Sequence, residues 1–541
     1  QYDQALQTST FLPQTFDRSK AVRLYRPVFG TDPLTGATGV RVGFDSVTGV
    51  TVPGTEIGKI VPNSGNILNG IAKAGSGTNK YLQESPGILF APRLGFAFDI
   101  TGKGEFVLRG GAGIFYDRYQ GNETFDMLGN PPTIFTPTLN FGFLKDTNPS
   151  NLLLAPSGLN AFSFEGQIPT VYQFNLGIQA KLPFDMRLDA AFVGSQSRHL
   201  LQRVNLNAIN YGLMYKRENQ DPTRFAGGVI PLVEPGLAAP YVNAGLSFSG
   251  SNALPQDFLR PFQGFGNINI HQMGGNSNYN SMQLGLQRRF VKRFFAQVSY
   301  TWSRAMGTTN GNDTDFVRID TFNKAANYGP LAFHRKHNLA INGIYELPNL
   351  SRYMDDNKVV GFFTDHWQLS GVYAFQSGTP YGVGFSIPGG IGNAQLTGSA
   401  TEGARIRVQG APGAGNSGDP YRQILTTAFT PPLPGSLGLE SGRNYLIGPG
   451  INNVDLTLQK TFTIKERGRL EFRVDAFNAL NHTQFSGVNS TLNVTSLTNF
   501  TPTNLPFDAN GNFIFANRNG FGTINGARDP RILQLVARLS F

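Results

Sequence analysis

The sequence predicts an all-β chain: a transmembrane, antiparallel, up-and-down β-barrel wall of about eleven strands with long extracellular loops. Three observations carry this. Apolar and polar residues alternate at period two through stretches of about 10 to 13 residues, longer than the usual five or six of soluble sheets. The connections fall into two populations, tight turns of about three or four residues and segments of roughly thirty to more than eighty. No apolar run approaches the roughly 20 residues of a spanning helix, although 40% of the 541 residues are hydrophobic. Backbone groups in hydrocarbon must be bonded internally, so a chain that crosses with strands must close them into a barrel.

Composition narrows the partners. Cysteine is absent, which excludes a disulfide scaffold and thiolate metal sites. The net charge of +10 comes from Lys and Arg spread along the chain, without the clustered basic face that nucleic acid needs, so no nucleic-acid partner is expected. The chain starts Gln1-Tyr-Asp-Gln, without Met, a basic n-region or an apolar h-region. The expectation is that a signal peptide has been removed or that a larger amino-terminal part is absent.

Taken in order, residues 1–93 read as an extracellular loop region before the first complete strand. They contain Leu24-Tyr-Arg-Pro27, a small hairpin of Val40–Phe44 with Gly49–Val52, and the turn-rich Gly75-Ser-Gly-Thr-Asn79. The barrel region is expected over 94–541. Leu94, Phe96, Phe98 and Ile100 share one face, and after Thr101-Gly-Lys-Gly104 the return strand carries Phe106, Leu108, Ala112, Ile114 and Tyr116. A second pair runs Tyr172 to Leu182, turns at Pro183-Phe-Asp185, and returns through Met186, Leu188, Ala190 and Phe192. The third runs Met282 to Phe290, turns at Val291-Lys-Arg293, and returns from Phe294 to Trp302. Leu339 to Leu347 and Trp367 to Phe375 form the fourth, joined by a longer, partly apolar connection. Val454 to Phe462 and Leu470 to Ala476 form the fifth, around Lys465-Glu-Arg-Gly468. A lone last strand, Arg531 to Phe541, alternates Leu533, Leu535, Ala537 and Leu539 with Gln534, Val536, Arg538 and Ser540 and ends on an aromatic.

The non-apolar parity of these strands gives the lumen-facing candidates Asp99, Glu105, Arg109, Gln179, Arg187, Asp189, Gln287, Arg289, Asp455, Glu471, Arg473 and Asp475. Mixed signs on adjacent strands suggest cross-strand pairs that hydrate and stiffen a wall; contact with a plug or solute is the functional alternative. Tyr116, Trp302, Tyr345 and Phe375 stand near strand ends expected to lead into long loops. With Phe541 they are the expected membrane-interface aromatics, although Tyr and Phe favour strands in any setting. An odd count of strands cannot close antiparallel on itself. Either an amino-terminal half completes the cylinder, or the first ninety or so residues supply one more strand.

Several stretches, in order, carry a family likeness: Phe90-Ala-Pro-Arg-Leu-Gly-Phe-Ala-Phe-Asp99, Leu108-Arg-Gly-Gly-Ala-Gly-Ile-Phe-Tyr-Asp117, Asn278-Tyr-Asn-Ser-Met-Gln-Leu284, Tyr300-Thr-Trp-Ser303, Trp367-Gln-Leu-Ser-Gly371, Ser377-Gly-Thr-Pro380, Arg473-Val-Asp-Ala-Phe-Asn-Ala-Leu-Asn481 and Ala527-Arg-Asp-Pro-Arg531. From about residue 90 onward the chain resembles the barrel region of TonB-dependent outer-membrane transporters, specifically the Oar-like group with an amino-terminal carboxypeptidase-regulatory-like domain. The resemblance implies a 22-stranded barrel of a Gram-negative-type outer membrane, with this chain as its carboxyl-terminal half. It also implies a plug and a TonB-contacting segment, neither found in this sequence. His334-Arg-Lys-His337 departs from the family, which often has Asp before the Arg.

No P-loop, zincin, nucleophile elbow or dinucleotide fingerprint is present, so neither an enzyme nor a cofactor is expected. The His334/His337 pair reads as solvated loop residues rather than a metal site. Asn310-Gly-Asn-Asp-Thr-Asp315 reads as a turn, lacking the downstream Glu of a calcium loop. The expected function is an outer-membrane receptor for uptake or export of a solute too large for porins. An adhesion barrel that binds through its loops without transport is the alternative. Expected partners are outer-membrane lipid, the barrel-assembly machinery through the last strand ending at Phe541, the TonB complex through a plug outside this chain, and an unidentified solute.

Overall fold

The computed structural model describes residues 5–118, 121–137, 152–309, 320–388, 392–436, 442–464, 468–496 and 501–541. One antiparallel sheet dominates it. Its strands in chain order are β1 (Arg93–Asp99), β2 (Phe106–Tyr116), β3 (Thr170–Leu182), β4 (Met186–Asn205), β5 (Phe265–Val291), β6 (Phe294–Gly307), β7 (His337–Glu346), β8 (Trp367–Gln376), β9 (Ile451–Ile464), β10 (Gly468–Phe477) and β11 (Ile532–Ser540). Each pairs with its chain neighbours, and the path runs from β1 to β11 without returning on itself. Among the described residues the sheet is therefore an open wall with an unpaired edge at each end. No helix among the described residues is long and apolar enough to cross a membrane.

Register turns the period-two pattern into two chemically distinct faces, because directly paired residues point the same way. One row runs Leu535, Val474, Leu458, Leu369, Tyr345 and Phe294 across β11 to β6, each opposite the next. On the other face Val107, Gln179, Asp189, Gly285, Ser299, Ala340, Ala374 and Asn453 are successive partners across β2 to β9. A one-residue slip would exchange the faces, so the alternation fixes the register.

The tight turns close by specific backbone chemistry. Two consecutive positive φ values occur in each of two turns, at Phe184 and Asp185 (φ 64° and 60°) in the three-residue turn 183–185 and at Lys292 and Arg293 (φ 50° and 68°) in the two-residue turn 292–293. That geometry matches the twist of the flanking strands. Between β1 and β2, Gly102 and Gly104 take φ 69° and 70°, and the Asp99 carboxylate accepts hydrogen bonds from the backbone N–H groups of Thr101, Gly102 and Gly104. The turn expected around Lys465-Glu-Arg-Gly468 lies largely outside the described residues.

At the opposite end the connections are folded, the described residues before β1 among them. Ser9–Phe11 pairs with Ile71–Lys73. The expected hairpin is present and gains a third strand, Arg26–Gly30, paired to Val40–Phe44. Phe11, fully buried, packs with Leu159, Val204, Phe265 and Ile268. These loops carry enough apolar side chains to build small cores of their own against strand extensions. β5 is the clearest extension: its 27 residues at about 3.4 Å each span about 90 Å, far beyond what a tilted membrane strand needs.

Candidate functional site

The polar face and the loop layer above it are where this architecture concentrates chemistry. The structure divides the predicted polar-face residues into two groups and a set of turn residues. In the first group Gln179 donates to Asp189 at 2.9 Å, and Arg187 pairs with the same carboxylate at 3.1 Å. Gln287 lies opposite Arg187. In the second group Asp475 is buried, accepting from Thr457 at 2.7 Å and pairing with Arg473 at 3.0 Å. Asp455 accepts from Asn453 and from the Asn478 backbone N–H, each at 2.8 Å, which anchors the start of a long loop. Glu471 lies opposite Arg538.

These two groups do not converge. Five strand spacings of about 4.8 Å, or about 24 Å, separate β4 from β9, and between them lie the small residues Ser299, Ala340 and Ala374. The remaining candidates are local. Asp99 is committed to its turn, Glu105 precedes β2, and Arg289 follows the last regular β4–β5 pair. Arg109 stands exposed, flanked in register by Ala97 and Gly177.

The aromatics need one correction. Tyr116, Trp302 and Phe375 stand at strand ends that enter long loops, with Trp302 opposite His337 and Phe375 opposite Leu339. Tyr345 stands at the other end, opposite Phe294 with ring centroids 6.3 Å apart. The alternation of strand direction decides this: β7 runs away from the long loops, so its last residues reach the short-turn end. Phe541 follows β11 at that same end, 95% exposed.

His334 and His337 are not solvated loop residues. His334 is buried, its Nδ1 accepting from the Ala305 backbone N–H at 3.2 Å. Burial, with Arg304 and Lys336 nearby, holds its imidazole below the usual histidine range. His337 stacks on Tyr300, with Nδ1 2.8 Å from the phenol oxygen. Among the described residues no three His, Asp or Glu side chains gather as metal ligands. The segment Asn310-Gly-Asn-Asp-Thr-Asp315 lies outside the described residues.

Period-two reading missed the chemistry of the loop layer. Arg23 grips Asp45 through two 2.9 Å hydrogen bonds, holding that carboxyl well below the usual carboxylate range. Arg41 ties the first segment to Asp221 at 2.8 Å. A cavity of about 450 Å³ opens between loop segments, lined in part by Asn393, Arg405, Arg443 and Asn444. Burial pushes the nearby Glu402 carboxyl up. Pairings of this kind link residues far apart in the chain and leave no local periodic signal. One missed feature did have such a signal. Lys460 interrupts the run Val454, Leu456, Leu458 and Phe462 on the apolar parity, and its ammonium lies over the Trp367 and Phe462 rings.

A family model described as an outer membrane beta barrel domain matches residues 31–534. No curated protein sequence matches the chain. Among solved structures the chain is similar to the outer membrane transporter YddB from Escherichia coli, with 10% identity and a TM-score of 0.38 over 76% of this chain and 38% of that one. It is similar also to the siderophore receptor PiuA from Acinetobacter baumannii, with 8% identity and a TM-score of 0.34 over 83% and 35%. For the ferric-catecholate import receptor Fiu from E. coli K12 the figures are 8%, 0.33, 96% and 39%. The chain spans under two fifths of the length of each of these three proteins.

Proposed function

The chain belongs to the outer membrane beta barrel domain family, and from that premise we propose that its open wall is part of a TonB-dependent receptor or transporter of the Oar-like group. It is a β-barrel protein of the outer membrane. In this reading the apolar face meets lipid and the polar face lines a lumen, with short turns in the periplasm and the folded loops outside the cell. The observation that carries the reading is the unpaired edge on both β1 and β11. In lipid such edges are untenable, so further strands must complete the cylinder. A plug outside this chain would gate the lumen. A solute would be captured in the loop layer, where loop segments enclose a cavity lined in part by Asn393 and Asn444. No covalent step is required of any residue.

The adhesion reading has one observation in its favour: the loops have apolar cores of their own, as a stable binding surface needs. The test follows solutes taken from the medium by cells with and without the gene, with TonB functional or deleted. Gene- and TonB-dependent depletion supports transport. Surface binding that persists without TonB, with no depletion, contradicts it.

A further inference from the structure

Among the described residues, the connection between β7 and β8 is the one short-turn-end connection that is not tight. Over 347–366 it forms a 3-10 turn, Leu350–Tyr353, and an α-helix, α1, Lys358–Thr364. The segment is held in place rather than loose. Asn357 caps α1 by accepting from the Val359 and Val360 N–H groups. Asp365 is buried and accepts from the Ser351 backbone N–H and hydroxyl. Trp367 Nε1 donates to the Phe363 carbonyl at 2.8 Å, and the Lys460 ammonium donates to the Asp365 carbonyl.

So held, the segment turns its apolar side chains outward. Val359, Phe362 and Phe363, spaced to share one helix face, are 70%, 56% and 66% exposed. Leu350, Tyr353 and Met354 are exposed beside them. A water-facing helix would place these residues inward; here the inward side is Gly361, packed against Asp365 and Ser351. The apolar patch is continuous with the apolar face of the sheet, for Phe362 lies 4.9 Å from Phe462, whose register partner is Leu470. Lys358 and Arg352 supply exposed cations beside it, against Asp355 and Asp356, while Lys460 is buried beneath the segment.

We propose that residues 350–363 form a membrane-interface anchor that lies on the inner, phospholipid leaflet of the outer membrane. Val359, Phe362 and Phe363 enter the acyl boundary, and the neighbouring Lys and Arg meet phosphate groups. This rests on the reading that the apolar face of the wall meets lipid, and its occupant is the same bilayer.

The absence of native cysteine makes the test direct. Val359→Cys, Phe363→Cys and, as a wall control, Leu456→Cys are each made in the full chain and labelled with an environment-sensitive fluorophore. The product of the whole gene, in which the cylinder is complete, is reconstituted in phosphatidylethanolamine–phosphatidylglycerol vesicles that contain no other protein. Quenching by lipids carrying a nitroxide at the headgroup or deep in the acyl chain then reads depth. The expected result is quenching of positions 359 and 363 chiefly by the shallow quencher, and of 456 by the deep one. If 456 is quenched while 359 and 363 are not, the anchor is overturned and the wall reading stands. If none is quenched, both fall. Tyr353→Cys, at an 81% exposed position, replaces either helix variant that fails to fold.

Discussion

Phe174 and Gly194 face each other across β3 and β4, and a methyl group built on Gly194 would run into the Phe174 ring. Gly110 stands in the same relation to Phe96 across β1 and β2. An aromatic laid over a glycine shields the bare backbone and pins the register. Gly194→Val is therefore expected to destabilise the wall by about 1–3 kcal/mol through overpacking. Adding Phe174→Ala should recover part of that loss. Urea unfolding of the reconstituted protein, single variants against double, checks it.

Ile341 and Asn342 are adjacent in sequence and opposite in face, at the middle of β7. Ile341→Arg puts a charge on the apolar face far from both strand ends and should cost about 2–4 kcal/mol. Asn342→Arg should cost far less. Comparing the two variants for membrane assembly and urea stability reads the difference. Equal costs would mean that the faces are not lipid and water.

Phe521 is fully buried in a core shared by two long loops, with Ile406, Ile424 and Phe429 from the first and Leu492 and Val494 beside it in the second. Phe521→Ala should cost about 3–5 kcal/mol there. Because that core contains no residue of the sheet, the expected outcome is proteolysis of both loops together while the strands remain protected. Limited proteolysis with mass mapping distinguishes this from global unfolding.

The Arg23–Asp45 pair gives the loop layer an acid limit. The hydrogen bond from Arg23 lowers the Asp45 pKa in the folded state, so the folded state holds the proton less tightly than the unfolded one. Its stabilisation is complete above the unfolded value of about 4 and is lost as pH falls through the folded pKa. Residues 23–61 should thus become protease-sensitive in acid. Asp45→Asn should make them sensitive at neutral pH too, with little further change on acidification.

How much of this was legible in the sequence depends on whether a residue's role is local. The apolar parity of the eleven strands could be read because a half-buried strand repeats every two residues, and the register rows follow it without exception from Leu535 to Phe294. The upper part of β5, Phe265 to Ser277, escaped notice because its Gly- and Asn-rich alternation answers to loop partners rather than to lipid. Tyr345 was assigned to the wrong end because its connection is longer than the tight turns and so reads like a loop. The polar side chains were identifiable as a face. Their division into two groups was not, since it depends on small residues several strands away.

The claim on which the account rests is that one face of the wall meets lipid and the other meets water. Val454, Asp455, Leu456, Thr457, Leu458 and Gln459 of β9 sample both faces in turn. Replacing each in turn by a spin-labelled cysteine, in the membrane-assembled full chain, allows accessibility to oxygen and to a water-soluble nickel chelate to be compared. The account predicts a period of two, with 454, 456 and 458 favouring oxygen and 455, 457 and 459 favouring nickel. Uniform accessibility along the six positions, or the opposite phase, would contradict it.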